Sequence, residues 1–205
     1  MDKMIGRLDT RLGELGIREN TLLMFIGDNG TLGSVTSRFK GTDYRGGKGS
    51  STARGTHVPF IASWPAVMKN SGVNRDLISG ADFLPTICEA AGVAVPAVCD
   101  GVSFLPQLRG EVGSPREAIY LWYSPRLKPD PTVTEFAFDL GHKLYRDGRL
   151  YDLGKDPFEA TPLASDDAPG VRGRLREVIE RYSATRPAEP DVQYAEYCER
   201  KGRKK

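Results

Sequence analysis

The stretch NTLLMFIGDNG, residues 20–30, sets a continuous apolar run directly before an acid, an amide and a glycine. Its length suits a strand, and unbroken apolar character is expected of a strand covered on both faces in a parallel α/β sheet. Asp28-Asn29-Gly30 then has two readings. It is ordinary turn chemistry, or it is a carboxylate and a carboxamide at the carboxyl end of a strand, where open α/β sheets collect ligands. Residues 27–57 are rich in Gly, Ser and Thr and hold no second alternating strand, which disfavours a tight hairpin and predicts a long loop of the kind a compact domain keeps for function. One charged and one neutral oxygen suit a hard cation such as Ca2+ or Mg2+. The spaced carboxylates and closing Glu of an EF-hand are absent, so any further ligands must come from elsewhere in the fold.

Working outward, Ile5, Leu8, Leu12 and Leu15 recur at helical spacing ahead of this strand, with Gly16 placed to stop the helix. A helix feeding a strand is half of a crossover unit, whose first strand is expected upstream. Downstream, HVPFIASWP (57–65) resumes an apolar strand. DFLPTICEAAG (82–92) reads as a helix with Asp82 as N-cap, Pro85 in the first turn and Gly92 as stop. From about residue 116 the pattern changes to short strands, AIYLWY, TEFAFDL, HKLYR and RLYDL, the last two joined by Asp147-Gly148, a type I′ hairpin signal. Val171, Leu175, Val178, Ile179 and Tyr182 trace a helix stripe suited to cover one sheet face. The expected organisation is an α/β part with a mainly parallel sheet over 1–115, a small antiparallel sheet packed on a helix over 116–185, and a basic tail over 186–205.

The 205 residues suffice for one sizeable core. With 29 Lys plus Arg against 27 Asp plus Glu, the net charge of +2 gives no global reason to expect nucleic acid or an anionic membrane as partner. The basic excess is local, in Arg200, Lys201, Arg203, Lys204 and Lys205, and reads as a solvated terminal run. Cys88, Cys99 and Cys198 form no CxxC pair, which excludes a standard zinc ribbon, and their odd number excludes a complete disulfide framework. No apolar run reaches membrane-span length, and the opening MDKMIGRLDTRLGELG is amphipathic rather than an export signal.

A second candidate segment is YRGGKGSSTARGTHVPF, residues 44–60. Gly46, Gly47 and Gly49 around Lys48 let backbone approach a ligand while the ammonium supplies a point charge and several donors, an oxyanion site in outline. Gly49 after Lys48 breaks the P-loop spacing. A flexible surface loop with an ordinary lysine is the plain alternative.

Taken in order, GDNG, YRGGKGS, GTHVPFIASWP, DFLPTICEAAG, DGVSFLPQLRG and HKLYRDGRLYDLGKDPFEATPLA resemble the C-terminal half of a sulfatase of the alkaline-phosphatase-like superfamily, over roughly residues 1–165. The resemblance implies a partial alkaline-phosphatase-like sandwich acting on a small-molecule or carbohydrate sulfate ester. It implies that Asp28 and Asn29 are two ligands of an active-site Ca2+ and that Lys48 contacts the sulfate. It also implies a nucleophile made as formylglycine from the Cys or Ser of a C-x-P-S-R type motif, and relatives that are commonly periplasmic, secreted or lysosomal.

None of the three cysteines stands in such a motif, and the family's paired aspartates and leaving-group histidine have no counterpart. The expectation is therefore half an active site, in a chain whose reading begins at an internal Met. A raw sheet edge would then favour self-association. A non-catalytic fragment or anion-binding accessory chain, and a phosphoester or phosphonate hydrolase of the same superfamily, are the alternatives. Where many relatives have Glu-Gly-Gly, this chain has Ala53, Arg54 and Gly55, and His57 stands where Arg is common. Arg54 is a candidate contact for an anionic substrate, and His57 a local cap that also has the chemistry for proton transfer. His142, opening a hairpin strand, reads as a cross-strand packing residue.

Overall fold

The computed structural model describes residues 1–39, 41–69, 71–124 and 133–186. In chain order they form α1 (Asp2–Glu14), β1 (Leu23–Ile26), β2 (Thr36–Phe39), β3 (Thr42–Arg45), α2 (Ala53–Thr56), β4 (Phe60–Ser63), α3 (Phe83–Ala91), α4 (Leu105–Leu108), β5 (Ile119–Tyr123), β6 (Thr134–Phe138), β7 (His142–Tyr145), β8 (Leu150–Asp152) and α5 (Pro169–Ser183). No helix among the described residues is long and apolar enough to cross a membrane. The terminal basic run and Cys198 lie outside the described residues. Two compact units result, Met1–Asp28 with Val58–Arg116, and Asn29–His57 with the chain from Glu117 onward.

In the first unit β1 pairs with β4, Leu23 opposite Ser63 and Ile26 opposite Phe60. This ladder is antiparallel, as is every strand pair among the described residues, so the expected mainly parallel sheet is not found in them. The apolar run reported only that both faces of the strand seek cover. It carries no information on strand direction, and Ile26 and Ile61 are in fact 45% and 63% exposed. Arg18 fastens the entry to β1 by donating to Ser63 Oγ at 2.6 Å and to the Thr21 carbonyl at 3.3 Å. Phe60, Phe83 and Phe104 meet edge to face with centroids 5.0 to 5.5 Å apart, a geometry that adds to simple area burial.

Helix α3 ends at Gly92 in the left-handed region (φ 68°), as its sequence predicts. Asp82 stands at the N-cap position of α3 but does not cap it as expected. Its side chain makes no cap bond to α3; it closes a capping box with Ser79, accepts from the Val102 N–H at 2.7 Å, and is gripped by the Arg116 guanidinium at 2.5 to 2.9 Å. Only 2% of Asp82 is exposed.

In the second unit β5, β6, β7 and β8 form an antiparallel meander. Strand alternation sends Ala137, Leu144 and Leu150 to one face, where Leu175 and Ile179 of α5 cover them. The stripe read from the sequence is thus the packed stripe. Phe136, Tyr145 and Tyr151 cluster separately. The β7–β8 connection is not type I′, because Asp147 has no positive φ. Gly148 (φ 96°) follows a turn closed by its own N–H to the Tyr145 carbonyl, so three residues rather than two make the link.

Residues 27–57 are more ordered than a loop. Strands β2 and β3 form a hairpin, Thr36 opposite Arg45 and Phe39 opposite Thr42, with Gly41 at φ 81° in the turn. All four residues of β2 are exposed, so no apolar alternation announces it.

Candidate functional site

The segment Asn29–His57 is a chain folded back on itself, and its glycines are where the two arms touch. A Cβ on Gly30 would lie 2.1 Å from the Arg54 carbonyl oxygen, one on Gly46 2.2 Å from the Leu32 oxygen, and one on Gly55 2.1 Å from the Ser50 oxygen. A Cβ on Gly47 would lie 2.5 Å from the Arg54 Cβ. These distances exclude any side chain without backbone movement. Of the glycines expected to admit a ligand, Gly46 and Gly47 are in close chain-to-chain contact, whereas Gly49 is not.

Lys48 sits at the exposed apex of this fold. Its own N–H donates to the Thr31 carbonyl at 2.9 Å, and Gly46 N–H to Val35 O at 2.9 Å, pinning the glycine arm to the arm that starts at Asn29. Gly49, at φ 84°, reverses the chain directly after it, and Ser50 N–H returns to Gly47 O. The lysine ammonium is thereby carried on backbone fixed two residues from the candidate carboxamide of Asn29. Asn29 is half-buried, and Asp28, immediately before it, is exposed.

Arg54 lies in the one-turn helix α2, half-buried, with its guanidinium 5.5 Å from the centroid of Phe158. Its Nε is buried and has no hydrogen-bond partner. His57 is the exposed C-cap of α2, its N–H donating to the Ala53 carbonyl at 2.9 Å. That is the local role its position predicts. His142 opens β7 opposite Asp152, with Nδ1 3.8 Å from Asp139 Oδ1.

Three residues that the sequence reading did not single out, Lys143, Tyr145 and Glu159, stand behind the loop. Lys143 Nζ donates to the Ser51 carbonyl and to Glu159 Oε1 at 3.0 Å. The Tyr145 hydroxyl donates to Glu159 Oε2 at 2.5 Å and lies 3.0 Å from Ser51 Oγ. Burial pushes the Lys143 ammonium below the ordinary lysine range, opposed by Glu159, and burial followed by the Glu159 bond pushes the Tyr145 phenol up. A period-two strand with a lysine at an inward position was the available signal in HKLYR.

The donor set at Asp28 and Asn29 is hard oxygen, chemically right for Ca2+, and supplies two of the six to eight oxygens such an ion takes. No cluster of three or more His, Cys, Asp or Glu exists among the described residues, so these two would be part of a ligand set and not the whole.

Comparison with known proteins adds the family context. Residues 1–93 match the sulfatase family model, and residues 52–184 match the model described as N-sulphoglucosamine sulphohydrolase, C-terminal. The chain is 32% identical to human arylsulfatase A over 209 residues, covering 88% of this chain and 40% of that protein. The fold is shared with the PsFucS1 sulfatase from Pseudoalteromonas sp. (TM-score 0.71, 24% identity, 90% of this chain and 41% of the other). It is shared equally with the phosphonate monoester hydrolase SpPMH from Silicibacter pomeroyi (TM-score 0.68, 23% identity, 93% and 40%). The chain spans about two fifths of the length of the curated relatives it matches.

Proposed function

The chain belongs to the sulfatase family, and we propose that it serves hydrolysis of sulfate esters, with Lys48 holding the sulfate group and Asp28 and Asn29 holding Ca2+. The observation that carries this reading is the glycine-packed arch that fixes Lys48 backbone to Thr31, two residues from Asn29. An ammonium carried on backbone fixed in this way binds the oxygens of a tetrahedral anion and stabilises the charge that develops on them as the S–O bond breaks. Calcium held by Asp28 and Asn29 would supply a divalent positive charge to the anion. Arg54, with an unsatisfied buried Nε, is a second anion contact in this reading. His57 lies at the segment's end as a substrate-side residue. The nucleophile comes from a segment other than these 205 residues, none of whose cysteines stands in the C-x-P-S-R setting.

The match to a sulphoglucosamine sulphohydrolase model favours a sulfated carbohydrate as substrate. A phosphonate or phosphoester is the second reading, favoured by the phosphonate monoester hydrolase that shares the fold. The test is turnover of an aryl sulfate and an aryl phosphonate by the native gene product and its Lys48→Ala variant. Sulfate turnover should dominate and fall about a hundredfold or more in the variant, as for removal of one preorganised oxyanion donor. Preferred phosphonate turnover would select the second reading, and an unchanged rate would remove Lys48 from the mechanism. Aryl sulfate hydrolysis by the purified 205-residue chain would overturn the external nucleophile.

A further inference from the structure

Lys48 is held on one side by Thr31, and on the other side the chain runs through Gly49 and Ser50 to Ser51, whose carbonyl receives the ammonium of Lys143. We infer that Lys143 and Glu159 are a positioning pair for the lysine loop, fixing Ser51 to β7 and so setting where the Lys48 arch stands. The inference rests on the reading of Lys48 as the anion contact.

The geometry is closed on every side. The two side chains are 4% and 3% exposed and 3.0 Å apart. Glu159 is held from its second oxygen by the Tyr145 hydroxyl at 2.5 Å, and that hydroxyl lies 3.0 Å from Ser51 Oγ, so backbone and side chain of Ser51 are both tied to β7. The Lys143 ammonium sits 4.1 Å from the Phe136 ring centroid and 5.0 Å from that of Tyr145. The ammonium is thus flanked by aromatic rings, and both charges are almost fully removed from solvent.

A sheet does not need this arrangement for its own stability. Removing an ammonium and a carboxylate from water costs several kcal/mol per ion, and an apolar pair of equal volume commonly holds a core as well or better. What the charged pair supplies, and an apolar pair does not, is a donor directed at one backbone carbonyl in an irregular segment. Glu159 also adopts φ 56°, a region that non-glycine residues enter at a cost and keep only when the surroundings hold them there. The segment around Glu159 is therefore built to present its carboxylate. Ser50 Oγ lies 2.9 Å from Thr52 Oγ1, which stiffens the Ser51 turn, so displacement of Ser51 passes to Lys48 through Gly49 and Ser50.

The experiment is amide hydrogen exchange on the full chain and its variants, with inorganic sulfate as the anion probe. Lys143→Met should speed exchange at Gly49–Thr52 by about ten- to hundredfold while the amides of β6 and β7 stay within about twofold. An equal rise in sheet and loop, or no rise in the loop, overturns the positioning role. Because Lys143→Met leaves Glu159 buried without its cation, Tyr145→Phe is the second variant: it keeps both charges and removes only the hydroxyl between Glu159 and Ser51. It should raise exchange severalfold at Gly49–Thr52 alone, and an unchanged loop would again overturn the inference. Sulfate should protect Lys48–Ser50 in the unaltered chain and need about tenfold more to do so in Lys143→Met. A loop that responds to Lys143→Met but is never protected by sulfate supports the pair and removes the anion role of Lys48, so the two readings fail separately.

Discussion

Among the described residues, each unit buries a well-enclosed ion pair, and the two are put to different uses. Asp82 and Arg116 are 2% and 11% exposed; the carboxylate also takes the N–H groups of Ser79 and Val102, and Arg116 donates onward to the Asp100 carbonyl. Every one of those bonds ends in the loops around the start of α3. Lys143 and Glu159 are buried as deeply, but their bonds lead out of the sheet to Ser51. Buried charge therefore does not by itself mark a functional site. What distinguishes the two pairs is the destination of their hydrogen bonds, a helix start in one case and the approach to an exposed lysine in the other.

That contrast is broken most directly at Asp82. Asp82→Ala strips Arg116 of its carboxylate and two backbone N–H groups of their acceptor, and should cost about 5 kcal/mol, the upper end for loss of one partner of a buried pair. Urea denaturation of the full chain measures it, and a cost under about 1 kcal/mol would show that the pair is solvated in solution. Lys143→Met should cost somewhat less, about 3 kcal/mol, and the double variant Lys143→Met/Glu159→Gln should recover most of that, because no charge is then left uncompensated. Recovery of stability without recovery of slow exchange at Gly49–Thr52 is the expected signature of a pair kept for position rather than for folding. If both recover together, the distinction between the two pairs collapses.

How much of this was legible in the sequence depends on which force writes each feature. The stripe of Leu175 and Ile179 and the stop at Gly92 are local rules, periodicity and a left-handed φ, and they stand where the residues predict. Strand direction at β1 was not legible, because an apolar run encodes cover on both faces and nothing about the neighbour's polarity. The β2–β3 hairpin was missed because its exposed strand has no apolar period to read. In the candidate site, the close packing at Gly46 and Gly47 was not legible, and neither was that at Gly30 and Gly55. Contact across Gly30 and Arg54, or Gly55 and Ser50, is a tertiary fact that spacing along the chain does not contain. Substitution sharpens the point. Gly55→Ala should cost about 2 kcal/mol by overpacking against the Ser50 carbonyl, whereas Gly173→Ala, in α5 with nothing within 4 Å of the added Cβ, should stabilise by about 0.5 to 1 kcal/mol. Thermal unfolding of the two variants should therefore shift in opposite directions.

The smallest expected effect separates the sheet's helix-packed core from the cluster behind the lysine loop. Tyr120 packs against the core that α5 covers, stacks on Tyr182 with centroids 5.5 Å apart, and donates to Glu135 Oε1 at 2.7 Å. Burial, then the hydrogen bond to Glu135, pushes its phenol up to about 12. An unfolded tyrosine releases its proton near pH 10. Between these values the unfolded chain has lost the proton and the folded chain keeps it, so the contribution of Tyr120 is fully present below pH 10 and is lost as the pH rises to about 12. Tyr120→Phe should remove the modest contribution of the Glu135 hydrogen bond near neutrality and flatten the decline above pH 10, read from urea midpoints across that range. It should leave exchange at Gly49–Thr52 untouched, because Tyr120 has no bond to the loop. The same measurement on Tyr145→Phe should flatten the decline and loosen the loop together, since the Tyr145 hydroxyl joins Glu159 to Ser51. If Tyr120→Phe also loosened Gly49–Thr52, the helix-packed core would be coupled to the lysine loop, and the positioning assigned to Lys143 and Glu159 would belong to the sheet as a whole.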